Sequence, residues 1–434
     1  MKVILICAVA FFAVISEIVY AQEVPDSNEI NRPASNYSGS IRGFAFAGSE
    51  RFDYSCAFAE AGFRVDANLK KTLTFRSDLR FRYGYQFNEE KTILDIREAY
   101  AGFVSKPFSV SLGKKVLDWS RVDAYSVSNR LTPTDYFYFS PDADDQKLSQ
   151  WMIHTKVMFG NRISWQISAI PFFAPSVYRF DLFDMGENAV FEQAVMPERT
   201  FSNGSIASRL NFELNAIGFA FSYFEGYATE YGFTLSGVNF FNDPIVATLR
   251  PVYHKMRSAS IDFEVPAGSW IFRGEFAFNQ IKDTGNMMYL PRNGLHYVFA
   301  VEKSFFNITS MAEYIGHFTP DFESLATPTN VIEDMLYQLF NFNRQIFYQQ
   351  EKYNHAVALI FTRDFYYNAI QANLALYYNI TSEEFTVRPQ ISYSVNDNLK
   401  VTVGGMYMRG PENSIFSYSS EIMNGAFVQL KASF

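Results

Sequence analysis

From Phe385 to Asn396 apolar and polar residues alternate at every step. Phe385, Val387, Pro389, Ile391, Tyr393 and Val395 share one face, and Thr386, Arg388, Gln390, Ser392, Ser394 and Asn396 share the other. Period two is the pattern of a strand with one apolar side. The run is about twice the usual globular strand of about 5–6 residues and suits the roughly 9–11 residues with which a tilted strand crosses a bilayer. The pattern recurs. Leu73, Phe75, Leu79, Phe81, Tyr83, Tyr85 and Phe87 alternate with Thr74, Arg76, Asp78, Arg80, Arg82 and Gln86. Ile370, Leu374, Leu376 and Tyr378 oppose Gln371, Asn373 and Asn379.

Composition separates a membrane barrel from a soluble sandwich, which also alternates. Aromatic residues make up 18% of the chain, with 46 Phe and 27 Tyr, while 19% of residues are charged. Beyond residue 21 no stretch approaches the roughly 20 apolar residues of a spanning helix, so any span in the mature chain is a strand. A barrel reconciles the two, since half of each strand faces lipid and half a polar interior. The net charge of -8 removes a general electrostatic case for nucleic-acid binding. Of the two cysteines only Cys56 lies beyond the leader, which leaves no internal disulfide and no thiolate metal site. No metal and no cofactor are expected.

Lys2, the apolar run Val3–Ile15 and Val19-Tyr20-Ala21 read as a secretory signal peptide cut before Gln22. The expected organisation is a signal peptide at 1–21, a flexible periplasmic lead-in at 22–37 and a barrel at 38–434. The expected fold is an all-β, transmembrane antiparallel β-barrel of about 18 strands, an even number within about 16–20. Asn161, Asn215, Ala267-Gly268, Asn307 and Asp397-Asn398 sit in short turns, whereas long connections fall near 119–148, 175–203, 229–249, 282–293, 319–352 and 410–421. Short turns on one side and long loops on the other place both termini in the periplasm and the loops outside the cell. The last strand carries Ala426, Val428, Leu430, Ala432 and Phe434 on one face. Its terminal aromatic reads as an insertion signal for the barrel-assembly machinery. The location is the outer membrane of a double-membraned bacterium, with its lipid as a partner and the oligomeric state, monomer or trimer, left open.

Projected inward, the polar faces line the lumen with Glu60, Arg64, Asp66, Arg76, Asp78, Arg80, Arg82, Asp95, Arg97, Arg273, Glu275 and Arg388, together with Lys156, Glu302, Glu313 and Lys400. An Arg or Lys on the lipid side at midplane costs about 2–4 kcal/mol, which directs these groups to the interior. Arg76, Arg80 and Arg82 share one face of one strand. They form either an anion-attracting strip or one side of a set of ion pairs.

Two loops are candidates for gating. The first carries Trp119, Asn129, Pro133 and Asp135 and ends in the acidic patch Asp142, Asp144 and Asp145. The second holds Val331, Ile332, Met335, Leu336, Leu339 and Phe340 at helical spacing behind an Asn330/Glu333 cap, an amphipathic helix of about three turns. Leu336 and Phe340 are its candidate gating residues. An enzyme is not expected. None of His154, His254, His296, His317 and His355 is followed two places on by Ser, and no metalloprotease helix, phosphate loop or nucleophile elbow occurs.

Gly113-Lys114-Lys115-Val116, Trp119 and then Asn129, Pro133 and Asp135 resemble a motif of bacterial outer-membrane barrels of largely unknown function, distantly similar to alginate-export-type porins. In that family Arg-Gln follows the glycine, where this chain has Lys114-Lys115. Pro389, the Asp397-Asn398 turn, Gly404-Gly405 and the closing Phe434 are similar to its C-terminal layout. The resemblance implies passive or facilitated transport and names no substrate. The expectation is a channel for a small or anionic solute. The alternatives are a gated carrier of hydrophobic molecules and a structural or adhesive surface barrel that binds external ligands through its loops.

Overall fold

The structure, a computed structural model, describes residues 35–49, 54–69, 72–185, 189–239, 246–283, 285 and 287–434. The segments expected to be a signal peptide and most of the lead-in lie outside these residues. Among the described residues one sheet of 19 strands forms. One strand, Ala189–Phe191, belongs to a loop. The other 18 build the wall, all antiparallel. They are β1 Ser35–Gly48, β2 Cys56–Leu69, β3 Leu73–Gln86, β4 Glu89–Ser105, β5 Phe108–Lys115, β6 Gln150–Phe159, β7 Ile163–Ile170, β8 Ser205–Glu213 and β9 Gly218–Asn239. The second half comprises β10 Val246–Ala267, β11 Trp270–Ile281, β12 Gly294–Phe305, β13 Ile308–Phe318, β14 Tyr353–Phe365, β15 Ile370–Asn379, β16 Glu384–Ser394, β17 Leu399–Arg409 and β18 Gly425–Ser433. β18 pairs with β1 from Ser40↔Ser433 to Gly48↔Gly425, so the sheet closes and leaves no edge. Gly39 and Phe434 exchange backbone hydrogen bonds of 2.8 and 2.9 Å at that seam.

The apolar rows read from the sequence point outward. Phe63, Phe75, Leu79, Phe81, Leu94, Phe108, Leu112, Ile391, Tyr393 and Val428 are all exposed on the outer surface. A belt of this extent is untenable in water and natural against lipid. No helix among the described residues is long and apolar enough to cross a membrane.

At one end the strands join through short turns. Asn307 and Gly268, at φ 60° and 63°, take the left-handed conformation that such tight turns demand. At the other end lie the long segments 116–149, 171–204 and 319–352. Several boundaries differ from expectation. β1 starts at Ser35, ahead of residue 38. β9 and β10 run far beyond 228 and before 250, and absorb most of the loop expected at 229–249. The last strand starts at Gly425 because a second helix, α2 Ile415–Met423, fills the preceding loop. The first helix, α1 Val331–Ile346, is 16 residues and exceeds three turns. The Asn330 side chain caps it by accepting from the Glu333 amide at 3.0 Å.

Many aromatics that composition assigns to lipid turn inward instead. Phe44, Phe46, Phe58 and Phe427 from the wall meet Phe137, Phe139, Phe180 and Phe183 from loops, Phe233 from β9, Leu339 and Phe342 from α1 and Ile422 from α2 in one buried core at the loop end. Long loops fold into the barrel mouth because their own aromatic residues find apolar partners there rather than water.

Candidate functional site

The segment 116–149 between β5 and β6 enters the lumen and is fastened to both walls. Its departure is set at Gly113, whose φ is +144°. A Cβ there would stand 2.2 Å from the Ala99 carbonyl oxygen, so only glycine lets β5 lie this close to β4. Trp119 is buried, with the Arg209 guanidinium 5.9 Å from its ring centre. Asn129 Oδ1 accepts from the Leu131 amide at 3.3 Å, Pro133 is fully buried, and Asp135 Oδ1 accepts from the Phe137 amide at 3.0 Å. These residues shape the inner loop.

One wall receives the loop through two buried carboxylates. Glu275 of β11 accepts five hydrogen bonds, from the Ser120 and Ser126 hydroxyls and the Arg121, Val127 and Ser128 amides, at 2.8–3.1 Å. Glu313 of β13 accepts from the Asp123, Ala124 and Tyr125 amides at 3.0–3.1 Å. Backbone amides presented in series make an anion cradle, here occupied by the protein's own carboxylates. Arg121 adds ion pairs of 2.7 Å to Asp262 and 2.8 Å to Glu213, and Arg209 holds the other oxygen of Asp262.

The opposite wall takes the acidic tip. Asp145 pairs with Arg42 of β1 and with Arg80 of β3 at 2.7 Å. Arg97 donates to the Asp144 and Asp145 carbonyls, and Arg388 of β16 to the Ser140 carbonyl. Burial disfavours the Asp145 charge, but Arg42 and Arg80 outweigh it and hold the carboxyl below the usual carboxylate range.

The arginine row of β3 is therefore spent on carboxylates. Arg82 lies 2.6 Å from Glu60, which also meets Arg42 at 2.8 Å. Arg76 pairs with Asp66, and Arg64 reaches the same Asp66 at 2.9 Å. Asp78 lies 3.5 Å from Arg80. Of the two readings of the row, the network of ion pairs is the one present. On the other wall Arg273 bridges Glu264 and Glu302 at 2.7 and 2.8 Å. A bulge at the β3–β4 ladder makes Arg97 the extra residue and brings Asp95 opposite Arg80, on the inward register; its carboxylate lies 3.8 Å from Lys114.

Sequence reasoning missed Arg42, Arg121 and Asp262. Arg42 could have been found, since it shares the inward face of β1 with Phe44 and Phe46. Arg121 could not, because nothing local marks a loop residue as lumenal.

Arg130 of the inner loop, like Arg97 and Arg388, has no ion pair among the described residues, and unlike them its buried Nε has no hydrogen-bond partner. It lines a small recess with Trp119, Ser128, Ser222 and Ser258, where Trp119 Nε1 and Ser258 Oγ also lack partners.

In the second loop the buried face of α1 is Leu339, Phe342 and Asn343, while Leu336 and Phe340 are only half-buried. The seam follows Met335, Leu339, Phe342 and Ile346, one position off the expected pair, because α1 docks on the tall β9–β10 hairpin. Asn343 fixes that docking. Its Oδ1 accepts from the Phe233 amide at 2.7 Å, and its Nδ2 donates to the Phe233 and Met288 carbonyls at 2.8 Å.

No family model and no curated protein matches the chain. Solved structures do. Pseudomonas aeruginosa OccK2 (OpdF) in complex with glucuronate matches with a TM-score of 0.55 at 9% identity, covering 92% of this chain and 97% of that one. Pseudomonas aeruginosa OpdK with vanillate matches with a TM-score of 0.54 at 9% identity, covering 92% and 98%. Acinetobacter baumannii OccAB4 matches with a TM-score of 0.53 at 10% identity, covering 94% and 99%. At this identity the likeness is one of fold, a closed antiparallel barrel over nearly the whole chain. These matches do not carry the resemblance to alginate-export-type barrels.

Proposed function

We propose that the protein is an outer-membrane channel that passes a small anionic solute, with the 116–149 loop as its constriction. The observation that carries this reading is the loop itself, bound across the lumen by Glu275 and Glu313 on one wall and by Arg42, Arg80 and Arg97 on the other. A loop so anchored narrows the passage and sets what passes. Selectivity for anions rests on Arg130 rather than on the β3 row, because the row is already neutralised while Arg130 has no carboxylate partner among the described residues. The solved structures of similar fold with glucuronate and vanillate, both carboxylates, agree with this solute class. The long loops face the cell exterior and both termini the periplasm, as the pattern of short turns and long loops suggests.

The test is reconstitution in planar bilayers and liposomes. Stepwise conductance and glucuronate uptake that falls in Arg130→Gln are expected. Absence of both conductance and solute flux would refute the channel. Intact flux with unchanged anion preference in Arg130→Gln would refute the role of Arg130.

A second reading, a gated carrier of hydrophobic molecules, is favoured by the aromatic core in the mouth. A co-purified fatty acid seen by native mass spectrometry would support it.

A further inference from the structure

The wall is uneven. β4 pairs with β3 along its whole length, from Gln86↔Glu89 to Leu73↔Phe103, but with β5 only from Ala99↔Lys114 to Ser105↔Phe108. The edge of β4 above Glu98 therefore has no strand on that side, and Lys114 Nζ donates to its Ile96 carbonyl at 2.8 Å instead. β5, β6, β7 and β8 have 8, 10, 8 and 9 residues. Strands this short barely span the hydrocarbon. Their loop ends thus lie at headgroup depth, in a notch between tall β4 and tall β9.

A cavity of about 420 Å³ sits in this notch. Arg97 and Gln150 border it from the inside, and Lys114, Trp151, Phe172 and Arg199 from the outside. Trp151 pairs with Lys114 and shares its outward face, with half its surface exposed. Phe172 is exposed, as are Leu112 and Ile153 just below and Phe201 beside it. Arg199 is exposed and has no ion pair or hydrogen bond among the described residues. The bordering charges are Arg97, Lys114 and Arg199 against Asp95 alone, a net positive recess above a lipid-facing apolar surface. Aromatic rings beside a cation at the membrane interface are suited to a headgroup above and acyl chains below.

We propose that the notch is a specific site for an anionic lipid of the surrounding leaflet. The lipid phosphate sits between Lys114 and Arg199, and the chains lie against Trp151, Phe172 and Leu112. The site is independent of what the lumen carries.

The full chain, purified in dodecyl maltoside, is to be examined by native mass spectrometry with phosphatidylglycerol and phosphatidylcholine as probes. One phosphatidylglycerol is expected to be retained in preference. Its occupancy is expected to fall by roughly tenfold in Lys114→Gln/Arg199→Gln, given two cations near a headgroup. Arg199→Gln alone, at an exposed loop position, serves as the second variant should the pair impair folding, and heat-modifiable migration on gels reports the fold. Equal retention of the two lipids would overturn the proposal. So would phosphatidylglycerol retained undiminished by folded variants, or its displacement by millimolar inorganic phosphate, which would mark an unspecific anion site.

Discussion

The Asp145 carboxylate lies 2.7 Å from the Arg80 guanidinium, which joins the tip of the inner loop to the arginine row of the third strand. Two features that stand 65 residues apart in the chain, a basic strand face and an acidic loop end, are thus halves of one contact. The pairing explains how one strand face can carry three arginines inside the lumen, since each meets a carboxylate of the protein. It also makes the loop position a matter of charge balance, and charge balance can be altered one residue at a time.

Replacing Asp145 with Asn leaves Arg42 and Arg80 facing each other across a lost anion. Removing one partner of a buried pair costs about 3–5 kcal/mol. Glu60 still meets Arg42 at 2.8 Å, which puts the expected loss at the low end of that range. Single-channel recordings should show larger and noisier conductance. An unchanged trace would mean that the tip does not narrow the passage.

On the opposite wall, Glu275→Gln exchanges one acceptor oxygen for a donor beneath amides that need acceptors. At least two of the five hydrogen bonds are lost, at about 1–3 kcal/mol for each buried donor left unpaired. Faster hydrogen exchange of the Arg121, Val127 and Ser128 amides, with the barrel strands unaffected, is the expected signature.

Gly113→Ala places a methyl group 2.2 Å from the Ala99 carbonyl at a φ of +144°. A non-glycine residue forced into this region costs about 1–3 kcal/mol before the clash is counted. The urea midpoint of the variant should drop, whereas Gly43→Ala, with open space around its Cβ and no positive φ, should drop far less.

Asn343→Ala removes three hydrogen bonds that hold the first helix to Phe233 and Met288. Trypsin should then cut after Arg344 several times faster. Equal cutting rates would show that the aromatic packing of Leu339 and Phe342 is sufficient by itself.

Phe434→Ala keeps the backbone pairing to Gly39 but removes the ring that covers it. If the terminal aromatic is an insertion signal, assembly into the membrane falls in vivo while refolding into detergent proceeds. Equal loss in both assays would assign the ring a role in barrel closure alone.

Sequence by itself determined the wall. Alternation as at Phe385–Asn396 is a local property, because a pleated strand bordered by lipid must put every second residue on the apolar side, and the wall has the 18 strands expected, with the bounds of β1, β9, β10 and β18 shifted. The helix cap at Asn330 is equally local. What filled the wall was decided by tertiary structure. The meeting of Asp145 with Arg42 and Arg80, the amide cradles around Glu275 and Glu313, and the turning inward of Phe44, Phe46 and Phe58 all depend on a loop entering the lumen. Period two says that a residue faces in, not what it will face. That partner is chosen by charge and apolar area brought together from distant parts of the chain, and no window of sequence contains both sides of the choice.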